Sequence, residues 1–214
     1  MLARCSSASI QGMEALPVTV EVDLAPGLPG LQLVGLPDAA IQESRERVRA
    51  ALRNSGFRGP LVRVIVNLAP ADRRKEGPAF DLPIALALLV ASGQLDPQKL
   101  EGLCCAGELG LDGSLRPCRG ILAIACQAKT QQAKAFVVPS ANAAEASLVA
   151  GLPIVSAQTL GQLVEQLRHG IEHNSCPQPT REQPATTTSP SSASAPSSAA
   201  PLTIQHFARK ALAP

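Results

Sequence analysis

The residue types with a spacing suited to chemistry lie in one run, Lys75-Glu76-Gly77-Pro78-Ala79-Phe80-Asp81-Leu82. An amine and two carboxylates surround a Gly-Pro turn that leads into an apolar helical stretch at residues 83–91. Lys75, Glu76 and Asp81 could build an acid–base site if a cleft shifted their proton affinities. The plainer alternative, a structural ion pair or a helix cap, remains open beside it. What the run lacks is a nucleophile. A second set, Gly107-Glu108-Leu109 and Leu111-Asp112-Gly113-Ser114-Leu115-Arg116-Pro117, centres on a turn ahead of another apolar helix.

Metal chemistry has little to draw on. His169, His173 and His206 fall at or beyond the end of the compact part. The six cysteines, Cys5, Cys104, Cys105, Cys118, Cys126 and Cys176, show no CxxC spacing. Neighbouring side chains on a strand point to opposite faces, so Cys104 and Cys105 make a poor disulfide pair. Cys118 and Cys126 are expected in one helix as small core-filling groups. No apolar run reaches the length of a membrane span, and a reducing cytoplasm is the expected compartment.

The elements that must position these residues follow from periodicity. Hydrophobic residues are 45% of the chain but only four are Phe, with no Trp or Tyr, so the core is aliphatic. Residues 17–24 alternate as a half-buried strand. After the Pro26-Gly27-Leu28-Pro29-Gly30 turn, residues 31–34 read as its hairpin partner. Asp38 is placed to cap a helix reaching about Asn54, with Gly56 beyond it. Ile41, Ser44, Val48 and Leu52 form the inward stripe of that helix, and Arg45, Arg49 and Arg53 form another. Strands are predicted at 61–68, 135–138 and 154–155, and helices at 82–92, 121–130, 142–149 and from the Thr159 cap to near His169. Asp112-Gly113 marks a hairpin turn. Residues 1–170 therefore form one domain of mixed strands and helices. Residues 171–214 form a low-complexity tail, expected to be disordered, with a short helix at 202–213.

Net charge is +2, unevenly spread. Residues 41–75 hold nine Arg or Lys against three Asp or Glu, an excess of six, so the rest is acidic by four. Arg45, Arg49, Arg53, Arg73, Arg74 and Lys75 are the candidate contacts for DNA or an acidic partner. Scarce aromatics argue against a platform that stacks single-stranded bases.

Several segments resemble, in order, the N-terminal domain of Mg-chelatase-like AAA+ proteins of the ComM/YifB type. They include Gly27-Leu28-Pro29-Gly30, Val34-Gly35-Leu36-Pro37, Glu43-Ser44-Arg45-Glu46-Arg47-Val48-Arg49, Asn67-Leu68-Ala69-Pro70-Ala71-Asp72, Asp81-Leu82-Pro83-Ile84-Ala85 and Gly107-Glu108-Leu109. The resemblance spans roughly residues 5–168. It implies an α+β fold of the ribosomal-protein-S5 domain-2-like type, shared with Lon-like peptidases. The Ser–Lys dyad of those enzymes would fall on Ala79 and Ile124, leaving Ala79, Asp81 and Ile124 around a remnant pocket with no catalysis of that kind.

The family's AAA+ motor would use ATP and Mg2+, but nothing in this sequence matches GxxxxGK[ST]. The chain is therefore expected to be a fragment, a frameshifted or truncated reading frame, or a stand-alone relic. The expected role is a noncatalytic module, without cofactor, that assists assembly or guides branched or duplex DNA in recombination or natural transformation. Its partners would be DNA, further copies or the motor, and not membranes. A protein-interaction domain without a nucleic-acid role is the alternative.

Overall fold

Apolar alternation places Val18, Val20 and Val22 inside strand β2 (Glu14–Ala25). β2 pairs antiparallel with β1 (Leu2–Gln11) across a turn at Gly12 and Met13, with Gln11 opposite Glu14. The computed structural model describes residues 1–170. The disordered tail expected at 171–214, the helix expected at 202–213, Cys176, His173 and His206 lie outside them.

The predicted hairpin of residues 17–24 with 31–34 does not form. Strand β3 (Gly30–Val34) pairs parallel with β4 (Arg63–Ala69), and β4 lies antiparallel between it and β2. The β-branched run of β4 sets Val66 and Leu68 opposite Val22 and Val20, a fully buried match that β3 does not offer. Gly35 follows β3 at φ 96°, and a Cβ there would strike the Leu68 backbone, so the chain leaves the sheet where only glycine fits.

Beyond β1 the sheet continues with parallel strands β5 (Leu103–Cys105), β8 (Ala135–Pro139) and β9 (Ile154–Ala157), in the order β3-β4-β2-β1-β5-β8-β9. A small ribbon, β6 (Glu108–Leu109) with β7 (Leu115–Arg116), closes at the predicted Asp112-Gly113 turn.

Helices α1 (Ala39–Asn54), α2 (Asp81–Ala91) and α5 (Leu160–His169) fill one face of the sheet. Helices α3 (Ile121–Thr130) and α4 (Ala143–Ala146) cover part of the other. The caps act as read: Asp38 Oδ1 accepts from Ile41 N at 2.8 Å, and Thr159 Oγ1 from Gln162 N at 3.2 Å. Helix α2 is buried along its whole length, which its unbroken apolar sequence after Asp81 permits. Cys104 and Cys105 lie in different core clusters on opposite faces, as strand geometry requires. Cys126 corrects the expectation placed on it. It is exposed on α3, while Cys118 is buried in the turn before that helix.

Candidate functional site

The run at residues 75–82 is held by three polar anchors. Asp38, which starts α1, uses its second oxygen to accept from Gly77 N at 3.0 Å. Asp38 N donates to Lys75 O at 3.0 Å, and Lys75 N to Leu36 O at 3.1 Å. Asp81, fully buried, forms the hub of the second anchor. It accepts from Arg47 Nε at 2.6 Å, from another Arg47 nitrogen at 3.1 Å, from Leu109 N at 3.2 Å and from the Ser44 hydroxyl. This bond to Asp81 raises the Arg47 guanidinium above its ordinary value, outweighing partial burial. The third anchor is backbone: Leu82 N donates to Gly107 O and Gly107 N to Ala79 O.

Lys75 and Asp81 do not pair with each other. Lys75 is 1% exposed, and its ammonium donates to the carbonyls of Pro70 and Arg73. Desolvation lowers its pKa, against the pull of nearby Asp72. Its burial removes it from the set of surface contacts proposed from sequence, because a side chain closed off from solvent cannot reach a phosphate.

Ala79 and Ile124 are brought together, lining one cavity of about 600 Å³. Asp81 is not among its lining residues, since it turns toward α1. The cavity walls include Ile10, Pro117 and Cys118, with Asp38, Glu76, Glu108 and Arg119 as the charged members. Glu76 stands 3.6 Å from Arg74 and Glu108 3.9 Å from Arg116, so two of its carboxylates already have cationic neighbours. Asn142 fixes the wall, accepting from Cys118 N at 2.9 Å and donating to Cys118 O at 3.0 Å. No lining residue carries a hydroxyl, an amine or an imidazole. Burial pushes the Cys118 thiol up to about 12, so it stays protonated near neutrality. Among the described residues no three His, Cys, Asp or Glu side chains gather to hold a metal ion.

The second candidate region is the outer face of α1. Arg45, Arg49 and Arg53 are all exposed, and among the described residues none forms an ion pair. Arg73 and Arg74 are exposed too but lie 3.8 Å from Asp72 and 3.6 Å from Glu76. Sequence reasoning overlooked Arg47 as a structural residue. Its one available signal was its place three residues after inward-facing Ser44, on the flank of the buried stripe.

Comparison with known proteins fits this geometry. The family described as subunit ChlI of Mg-chelatase matches residues 20–142. An uncharacterized protein of Mycobacterium tuberculosis is 45% identical over 167 residues, which is 78% of this chain and 33% of that protein. YifB of Escherichia coli is 42% identical over 171 residues, 79% of this chain and 33% of its own length. Competence protein ComM of Haemophilus influenzae is 44% identical over 166 residues, 78% and 32% respectively. The chain spans about a third of the length of these relatives. Among the described residues no helix is long and apolar enough to cross a membrane.

Proposed function

The chain belongs to the Mg-chelatase-like ComM/YifB family, and from that premise we propose that it is a noncatalytic, cytoplasmic module of a DNA-processing protein. In this reading the outer face of α1 guides duplex or branched DNA, and the remnant cavity performs no peptide chemistry. The observation that carries the DNA role is the row of exposed Arg45, Arg49 and Arg53 on one helix, without ion pairs among the described residues. Such a row meets successive phosphates without reading sequence. The name of the Haemophilus influenzae relative, a competence protein, supports DNA as the substrate.

The noncatalytic role rests on the cavity lining. Ala79 supplies a methyl where an acyl-transfer site needs a nucleophile, and Ile124 an alkyl group where it needs a base. ATP and Mg2+ have no phosphate-cradling GxxxxGK[ST] loop in this sequence.

The test is fluorescence anisotropy of the 214-residue chain against a labelled four-way junction and a matching duplex. Saturable binding that weakens with salt and disappears when Arg45, Arg49 and Arg53 are changed to Ser is the expected result. No binding up to about 50 µM, within the range of nonspecific affinities, would refute DNA guidance and leave an assembly role with the motor or with other copies.

A further inference from the structure

Two depressions meet at the start of β3. One, of about 230 Å³, lies between the end of α1, the turn at residues 59–61 and the sheet, with Leu31, Leu52, Val64 and Leu88 in its lining. The other, of about 410 Å³, is shallower and opens between the 26–28 loop and Arg63. They share Gly30 and Leu31 and so form one groove that wraps the edge of β3, with Leu31 and Val64 on the helix-covered face of the sheet and Gln32 and Arg63 on the other. Leu61 and Leu28 are 86% and 89% exposed within its two halves, large apolar side chains left in water beside an apolar floor.

The groove is preformed. Gln94 clasps the turn at its base, accepting from Arg58 N and donating to Arg58 O, both at 2.8 Å. Phe57 N donates to Leu52 O at 2.9 Å, tying the same segment to α1. On the other side Arg63 donates to Gln32 Oε1 at 3.0 Å and lies along β3.

Its electrostatics are one-sided. Arg49, Arg53 and Arg63 line it, no acidic residue does, and none of the three forms an ion pair among the described residues. β3 is also the end strand of the sheet, so among the described residues its outer backbone edge has no strand partner.

A nucleic-acid backbone satisfies the arginines but leaves the leucine floor empty, and the lining has no aromatic ring for a base to stack on. An acidic polypeptide satisfies all three features. We infer that this groove docks an acidic segment of a partner protein, laid along the free edge of β3. An apolar anchor residue of that segment sits over Leu31 and Leu52 while its carboxylates meet Arg49, Arg53 and Arg63. This site goes beyond the DNA reading, because Arg45 lies outside the groove and Leu61 has no use to a phosphate.

The experiment selects random dodecapeptides displayed on phage against the full chain at physiological salt, and then measures the affinity of the selected peptides for Leu61→Asp. Leu61 is almost fully exposed, so that change leaves the core intact, which a thermal melt verifies. Selected peptides should carry Asp or Glu around a Leu, Ile, Phe or Met. They should bind at least about tenfold more weakly to Leu61→Asp and to the Arg49→Ser/Arg53→Ser double variant, as loss of an interface anchor does. Arg45→Ser should leave their affinity unchanged, and hydrogen exchange on binding should slow at residues 30–34. Peptides without acidic bias, peptides that bind Leu61→Asp equally well, or no selected peptides would each overturn the inference. Junction DNA titrated against Arg45→Ser separates the readings: that variant should weaken DNA binding and leave peptide affinity unchanged.

Discussion

The inner and outer faces of α1 put the same residue type to opposite uses. On the inner flank all three nitrogens of the Arg47 guanidinium donate, to Asp81, Glu43, Ser44 and the Ala40 carbonyl. On the outer face Arg45 donates only to the Gln42 carbonyl within its own helix, and Arg49 and Arg53 stand in solvent. The difference shows that a local excess of positive charge overstates the surface available to a partner. Arg47 and Lys75 belong to the packing of the domain, while the outer row forms no ion pair among the described residues. A charge acts on the outside only when nothing inside has claimed it.

Substitutions at four places break or sharpen this contrast: Arg47, Ser44, Lys75 and the outer arginine row. Arg47→Ala should have the largest effect, because it strands the fully buried Asp81 carboxylate. A loss of about 3–5 kcal/mol is expected, read as a lower urea midpoint, with part recovered in an Arg47→Met/Asp81→Leu double variant. Ser44→Ala removes one hydroxyl from the same hub and should cost about 1–2 kcal/mol in the same titration. Lys75→Met tests the other buried cation through pH. Burial holds the Lys75 pKa below its ordinary 10.5, so the unfolded chain binds that proton more tightly. Wild type should therefore gain stability relative to Lys75→Met as pH rises through the depressed folded value toward 10.5. Urea melts at a series of pH values up to 10.5 read this gain, and a difference between the two proteins that does not change with pH would refute it. The outer row should give the smallest change: Arg45→Ser/Arg49→Ser/Arg53→Ser should leave stability within about 0.5 kcal/mol while abolishing junction binding. A large destabilisation there would erase the distinction between the two faces.

Where local chemistry decides, the sequence was readable. Asp38 and Thr159 announced their helices, and the stripe of Ile41, Val48 and Leu52 fixed the buried face of α1. Strand β1 was missed because its inward positions Ala3, Cys5, Ser7 and Ser9 are small and partly polar, giving no apolar alternation. The partner of β3 was misjudged because the turn at Gly27 to Gly30 looks local, whereas β4, some thirty residues on, wins the place beside β2. Site legibility divides the same way. The resemblance placed Ala79 and Ile124 on one cavity across the fold. Composition could not reveal that Arg47 and Asp81 meet, since packing alone selects that pair from many charges. Nor did periodicity show Cys126 outside the core, because a short helix with apolar residues on several sides leaves its outward face ambiguous.

Strand β1, among the first residues of the chain, lies in the interior of the sheet. It can pair with β2 as soon as residues 2–25 exist, but its other neighbour is β5, where Ser6 lies opposite Cys104. Throughout synthesis of the residues between, that second edge stays open, a template on which any extended chain can pair. The Ser and Ala residues that hid β1 from pattern reading serve it here, because they offer little apolar surface to a stacking neighbour and make the waiting strand a poor seed for aggregation.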